Sequence, residues 1–173
     1  DILMSVDEIC QQLNGLKKTI VPLECTKITM FVDVQKTLLY YCVCAWSDDF
    51  TGAVIDYGAW PDQKRNRFTL AEADPTIQDV VKQGGLEGQL YRAFENLING
   101  KMQQVYLRED GAEMHIERAM IDANWGQSTD IVYQFCRQSE YSGMVLPAHG
   151  RYIGASSRSM TEYKKKKGER LGF

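Results

Sequence analysis

Apolar and polar positions fall into blocks whose period changes along the chain, and each change marks an element. Ser5-Val6-Asp7-Glu8 carries the serine and glutamate of a capping box, which predicts a short helix through about residue 13, ended by Gly15. Val21-Pro22-Leu23 then leads into residues 28–34, Ile-Thr-Met-Phe-Val-Asp-Val, which read as a buried strand. Lys36-Thr37 is a short connection to a second strand over 38–46, rich in aromatics and Val. Ser47-Asp48-Asp49 turns the chain into a third strand over 52–60. Connections this short imply an antiparallel meander. Residues 61–75 are polar and loop-like. The period then becomes helical: Ile77, Val80, Val81, Leu86, Leu90, Phe94, Leu97 and Ile98 predict helix over 76–99, with Gly84-Gly85 placed to break it in two. Residues 101–110 form a polar connection with a short apolar stretch, Val105 to Leu107. A fourth strand is expected over 113–122, a turn at 124–127, a helix over 128–138 on Ile131, Val132, Phe135 and Cys136, and a fifth strand over 143–147. The remainder is basic and punctuated by Gly and Ser, and no internal repeat is present.

The order β-β-β-α-β-α-β predicts an α/β fold. Its sheet is mixed, with three antiparallel strands followed by parallel ones, and helices flank it. A length of 173 residues, 44% hydrophobic and 25% charged, suits one ordinary domain, or one domain plus an arm, with a sizeable core. No apolar run approaches the ~20 residues that a membrane-spanning helix needs, so no membrane partner is expected. No basic-then-apolar leader opens the chain. It starts at Asp1 and stops at Leu171-Gly172-Phe173 in mid-pattern, which reads as an excised fragment.

Charge divides the chain. The net charge is −3, yet residues 151–173 hold seven Lys or Arg against Glu162 and Glu169, a balance of +5 that leaves −8 for the rest. Such a chain offers carboxylates in one place and meets phosphates in another, or else simply ends in a solvated basic loop. Cys10, Cys25, Cys42, Cys44 and Cys136 form no C-x-x-C pair, and His115 and His149 are far apart, so the spacing of a zinc site is lacking. Cys42 and Cys44 share one face of a strand and read as small packing residues. Unpaired cysteines suit a reducing compartment.

Two aspartates stand out. Asp33 lies near the end of an apolar strand, where a carboxylate is costly unless paired, protonated or metal-bound; the other reading is a strand-end residue bonding the turn at 35–37. Asp122 ends Ala119-Met120-Ile121-Asp122 before a turn and a helix, where Asp is also a common turn or capping residue. Together they end two strands that the element order would set side by side, at the carboxyl edge where α/β sheets bind ligands. Two hard oxygen ligands there suit Mg²⁺ or Mn²⁺, and two such ions can activate water for phosphodiester cleavage. Asp56 is assigned to solvent or a structural hydrogen bond. Glu109, Asp110, Glu113 and Glu117 are assigned to a solvated hairpin and strand face. His149 follows the fifth strand, either as a plain loop histidine or close to the aspartates. No P-loop and no nucleophile elbow is present.

Phe31-Val32-Asp33-Val34-Gln35, Val54-Ile55-Asp56-Tyr57-Gly58, Ala119-Met120-Ile121-Asp122 and Val132-Tyr133-Gln134-Phe135-Cys136, in this order and spacing, resemble the nuclease half of the large terminase subunit of tailed phages, GpA-like branch. The resemblance implies an RNase H-like nuclease domain over residues 21–173, cut short at its C-terminus, with residues 1–20 a helix and linker following an ATPase half. It implies a two-metal endonuclease that cuts concatemeric viral DNA during packaging, with Asp33 and Asp122 as catalytic metal ligands for Mg²⁺ or Mn²⁺. The family's third carboxylate comes late, in or near a C-terminal helix, and has no matching position before Phe173; either it lies beyond Phe173 or a divergent residue substitutes for it. Lys164, Lys165, Lys166, Lys167 and Arg170 would grip double-stranded DNA. Its implied partners are the upstream ATPase domain, the portal and the small terminase subunit, in the host cytoplasm. Another RNase H-like nuclease of junction-resolvase type, or a non-catalytic docking module for portal or capsid-assembly proteins, are the alternatives.

Overall fold

Residues 5–11, 15–65 and 67–150 are described by the computed structural model, and their elements follow the expected order. They are α1 (Val6–Gln11), β1 (Ile20–Val21), β2 (Lys27–Val34), β3 (Leu39–Trp46), β4 (Gly52–Trp60), a 3-10 turn (Leu70–Glu72), α2 (Ile77–Val80), α3 (Gly85–Gln103), β5 (Tyr106–Arg108), β6 (Glu113–Met114), β7 (Arg118–Asp122), α4 (Thr129–Gln138) and β8 (Val145–Ala148). The capping box of α1 forms as read: Ser5 N–H donates to Glu8 at 2.7 Å, and Glu8 N–H donates to Ser5 Oγ at 3.2 Å. The stretch expected as helix over 76–99 is two helices, parted at the left-handed Gly84. Lys164 to Lys167 and Arg170 lie outside the described residues.

The main sheet has five strands in the order β4-β3-β2-β7-β8. β2, β3 and β4 are antiparallel, and β7 and β8 join parallel. The arrangement is the mixed α/β sheet expected and is compatible with an RNase H-like fold. A second sheet, β1-β5-β6, was not expected; it takes in the apolar stretch assigned to a connection. Its strands, two or three residues long, are too short to show a period. For the same reason the fourth strand expected over 113–122 is really two, β6 and β7, each in a different sheet.

Alternation fixes which face of the main sheet is covered. Along β2, Ile28, Met30, Val32 and Val34 are buried, while Lys27, Thr29, Phe31 and Asp33 are exposed or half-buried. The buried set joins Ala119, Ile121 and Val145 in one core with Leu90, Ala93, Phe94, Leu97 and Ile98 of α3 and Ile131, Val132, Phe135 and Cys136 of α4. Phe94 and Phe135 meet at 5.5 Å between ring centroids and fasten the two helices to each other. Among the described residues, the opposite face has no helix packed on it. It exposes Phe31, Val54, Tyr57, Met120 and Leu146.

Candidate nuclease site

β2 and β7 run parallel with Phe31 opposite Met120 and Val32 opposite Ile121. The next step of this register sets Asp33 beside Asp122. Neighbouring strands lie about 4.8 Å apart, so the two carboxylates share the carboxyl edge of the sheet. Both belong to the open face, in phase with Phe31 and with Met120, and both are half-buried. The structure therefore brings together the two aspartates singled out in the sequence.

Each carboxylate also serves its own turn. Gln35 Nε2 donates to Asp33 Oδ2 at 2.8 Å, and Asn124 N–H donates to Asp122 Oδ1 at 3.0 Å, an Asx turn. Asp33 Oδ1 and Asp122 Oδ2 have no hydrogen-bond partner among the described residues. Two free carboxylate oxygens at one sheet edge are the hard donors that Mg²⁺ or Mn²⁺ takes, water completing the shell. No group of three or more metal-ligating side chains occurs among the described residues.

His149 comes to the same edge. Ala123 N–H donates to the Ala148 carbonyl at 2.8 Å, so β8 ends beside the turn that follows Asp122. Asn124 Nδ2 donates to the Gly150 carbonyl at 3.3 Å, which aims Asn124 Oδ1 at His149 Nδ1, 3.1 Å away. A carbonyl oxygen only accepts, so Nδ1 carries a proton, and Nε2 faces the Tyr133 hydroxyl at 3.0 Å. Asn124 and Tyr133 were not singled out in the sequence. The signal for Asn124 was its place two residues after an aspartate in a turn.

Asp56 lies on the other face, buried at 2% exposure. A bulge in β4 shifts the register between Val43 and Cys44, so Ile55 and Asp56 both turn inward. Lys101 Nζ stands 2.7 Å from Asp56 Oδ2, Lys18 Nζ 3.3 Å from Oδ1, and the Tyr106 hydroxyl donates to Oδ2 at 3.3 Å. Burial, and then the Asp56 charge, push the Tyr106 hydroxyl well above its ordinary range. Lys101 loses hydration by burial, but its bonds to Asp56 and Tyr41 outweigh that and raise its pKa. This is the structural alternative of the two expected for Asp56. The acidic cluster also behaves as a hairpin face: Arg108 donates to Asp110 at 2.7 Å and, with the Ala112 N–H, holds that carboxyl at about 2. Cys42 and Cys44 share the open face with their sulfurs 3.8 Å apart. Burial, then the Cys42 neighbour, pushes the Cys44 thiol up to about 11.

A family model described as "Terminase large subunit gpA, endonuclease domain" matches residues 3–172. No curated protein matches the chain. Among solved structures, one titled as a structural study of the Aquifex aeolicus PPX-GPPA enzyme is 9% identical, with a TM-score of 0.29 over 71% of this chain and 36% of that one. A second, described as the Aquifex aeolicus member of the Ppx/GppA protein family, is 8% identical, with a TM-score of 0.28 over 71% of this chain and 35% of that one. The chain thus spans about a third of the length of these solved structures.

Proposed function

Because the chain belongs to the terminase large subunit gpA endonuclease domain family, we propose that it is a metal-dependent DNA endonuclease that cuts concatemeric viral DNA during genome packaging. The observation that carries this reading is the register of β2 on β7, which sets Asp33 beside Asp122 at the carboxyl edge, each with an oxygen unclaimed among the described residues. Asp33 and Asp122 would hold Mg²⁺ or Mn²⁺. When bound, such ions supply an activated water and charge stabilisation on the phosphate. Gln35 and Asn124 keep each carboxylate turned to the edge, and the Asn124–His149–Tyr133 chain holds His149 just after β8. The partners in this reading are duplex DNA, an ATPase half of the same polypeptide, the portal and the small terminase subunit. Its setting is the host cytoplasm.

The test is cleavage of supercoiled plasmid alongside thermal unfolding, each with and without Mn²⁺. The parent should nick plasmid only with metal and should melt higher in its presence. Asp33→Asn should lose cleavage, keep its fold and lose most of the Mn²⁺-induced shift, since an amide is a poor ligand for a hard cation. Equal Mn²⁺ shifts in parent and variant would remove Asp33 from the site. A parent that neither cleaves nor responds to metal would leave the docking module as the reading.

A further inference from the structure

The loop between β4 and α2 is built as a platform. Gln63, 6% exposed, donates through Nε2 to the carbonyls of Pro61 at 3.0 Å and Pro75 at 2.8 Å, and its Oε1 accepts from Asp74 N–H at 2.8 Å. Both donors and one acceptor site of this buried amide are thus spent on tying the two ends of the loop together. Further bonds link described residues between these ends. Lys64 N–H donates to Asp62 Oδ1 at 2.9 Å, the Arg65 guanidinium donates to the Glu72 carbonyl, and Glu72 accepts from Thr69 N–H and Oγ1. A surface loop tied down in this way is one in which function is expected to sit.

One side chain tells where the loop points. Phe68 stacks on Tyr40 with centroids 5.9 Å apart and rings 18° from parallel. Tyr40 is the cross-strand partner of Asp33. The loop is therefore fastened to the open face beside the first aspartate. Lys64, Arg65 and Arg67 are exposed on it. Neither Lys64 nor Arg67 has an ion-pair partner among the described residues. Lys36, exposed in the turn just after Asp33, adds a fourth cation at this edge. The loop as a whole is neutral, because Asp62, Glu72 and Asp74 offset its three cations. Its polarity comes from placement. Asp62 and Glu72 are turned onto the loop's own donors, and Asp74 stands at the tied base, while Lys64 and Arg67 reach outward.

We infer that this loop is a second DNA-binding element, in which Lys64 and Arg67 take backbone phosphates of the duplex whose scissile bond lies at Asp33 and Asp122. The inference rests on the nuclease reading and extends it by naming a grip within the described fold. Phosphate contacts of this kind position a duplex without reading its sequence. They also answer an electrostatic need: the chain outside residues 151–173 carries −8 and has to bring a polyanion to two carboxylates.

The experiment measures binding of a short fluorescein-labelled duplex to the full chain in EDTA, by anisotropy, over roughly 50 to 200 mM salt. Relative to the parent, the double variant Lys64→Ala/Arg67→Ala should flatten the slope of log affinity against log salt by about 1.8, as expected when two phosphates are no longer neutralised. Unrelated duplex sequences should weaken alike. Circular dichroism melting verifies the fold, and Lys64→Gln/Arg67→Gln replaces the alanine pair if that pair does not fold. A parent that binds and cuts DNA, with an unchanged slope in the folded variant, overturns the grip and leaves the nuclease reading standing. A parent that binds no duplex overturns both.

Discussion

Asp33 and Asp56 stand on strands of one meander, yet their surroundings give them opposite work. Asp33 faces open space with a single side-chain donor, whereas Asp56 is enclosed by Lys101, Lys18 and Tyr106. Asp56→Ala should cost about 3–5 kcal/mol, because it leaves the largely buried Lys101 ammonium without its counter-charge, with only the neutral Gln104 amide and the Tyr41 side chain beside it. Lys18→Ala should cost under about 1 kcal/mol, since that lysine is 56% exposed and its pair is screened. Urea unfolding of the two variants gives the comparison, and equal losses would contradict the burial of Lys101. The raised Lys101 pKa sets the pH sense. The contribution from the Lys101 shift is fully present below the unfolded lysine value of about 10.4 and is lost as pH climbs through the higher folded value. The sequence made Asp33 and Asp122 legible because each closes an apolar strand and the element order makes those strands neighbours. It did not reveal how deeply Asp56 is buried, because that depends on a one-residue bulge which leaves no trace in the period. Nor did it reveal the Asn124–His149–Tyr133 chain, whose members meet only when β8 lies beside β7.

At the scale of elements, long strands and the amphipathic helix faces were readable, and junctions were decided by single glycines. Gly84 precedes α3 with φ +100°, and a Cβ there would lie 3.1 Å from Gly88 Cα. Gly100 lies inside the same helix with nothing within 4 Å of an added Cβ. Gly84→Ala should therefore lose about 1 kcal/mol or more, since an L-residue is strained at positive φ and the neighbour is backbone. Gly100→Ala should gain up to about 1 kcal/mol from helix propensity. Opposite shifts of the urea midpoint are expected, and shifts of the same sign would place the α2–α3 break elsewhere. The small sheet escaped the sequence reading for a physical reason. β1 and β5 are held by pairing across more than eighty residues, Ile20 to Leu107 and Val21 to Arg108, not by any local pattern. Long-range pairing of two-residue strands leaves only burial as a signal, and Val21 and Tyr106 are the buried residues that carry it.

For the whole molecule the governing quantity is the split between the −8 of residues 1–150 and the +5 of residues 151–173. A uniform chain with this net charge would repel DNA, so any approach depends on where the cations are. Two regions supply them. One is the clamped loop beside Asp33, and the other is the run Lys164 to Lys167, which lies outside the described residues. If both meet phosphates, their effects on the salt dependence of duplex binding should add, because each neutralised phosphate releases its own counterions. Replacing the four lysines with alanine should flatten the salt slope by up to about 3.6, roughly 0.9 for each phosphate left unneutralised. Adding Lys64→Ala/Arg67→Ala should flatten it further. Mn²⁺ should still raise the melting temperature of the lysine variant, because the carboxylates that would hold the metal are on β2 and β7. A slope unchanged by the four-lysine replacement would return that run to a solvated loop and leave the platform as the cationic surface through which this acidic domain meets DNA.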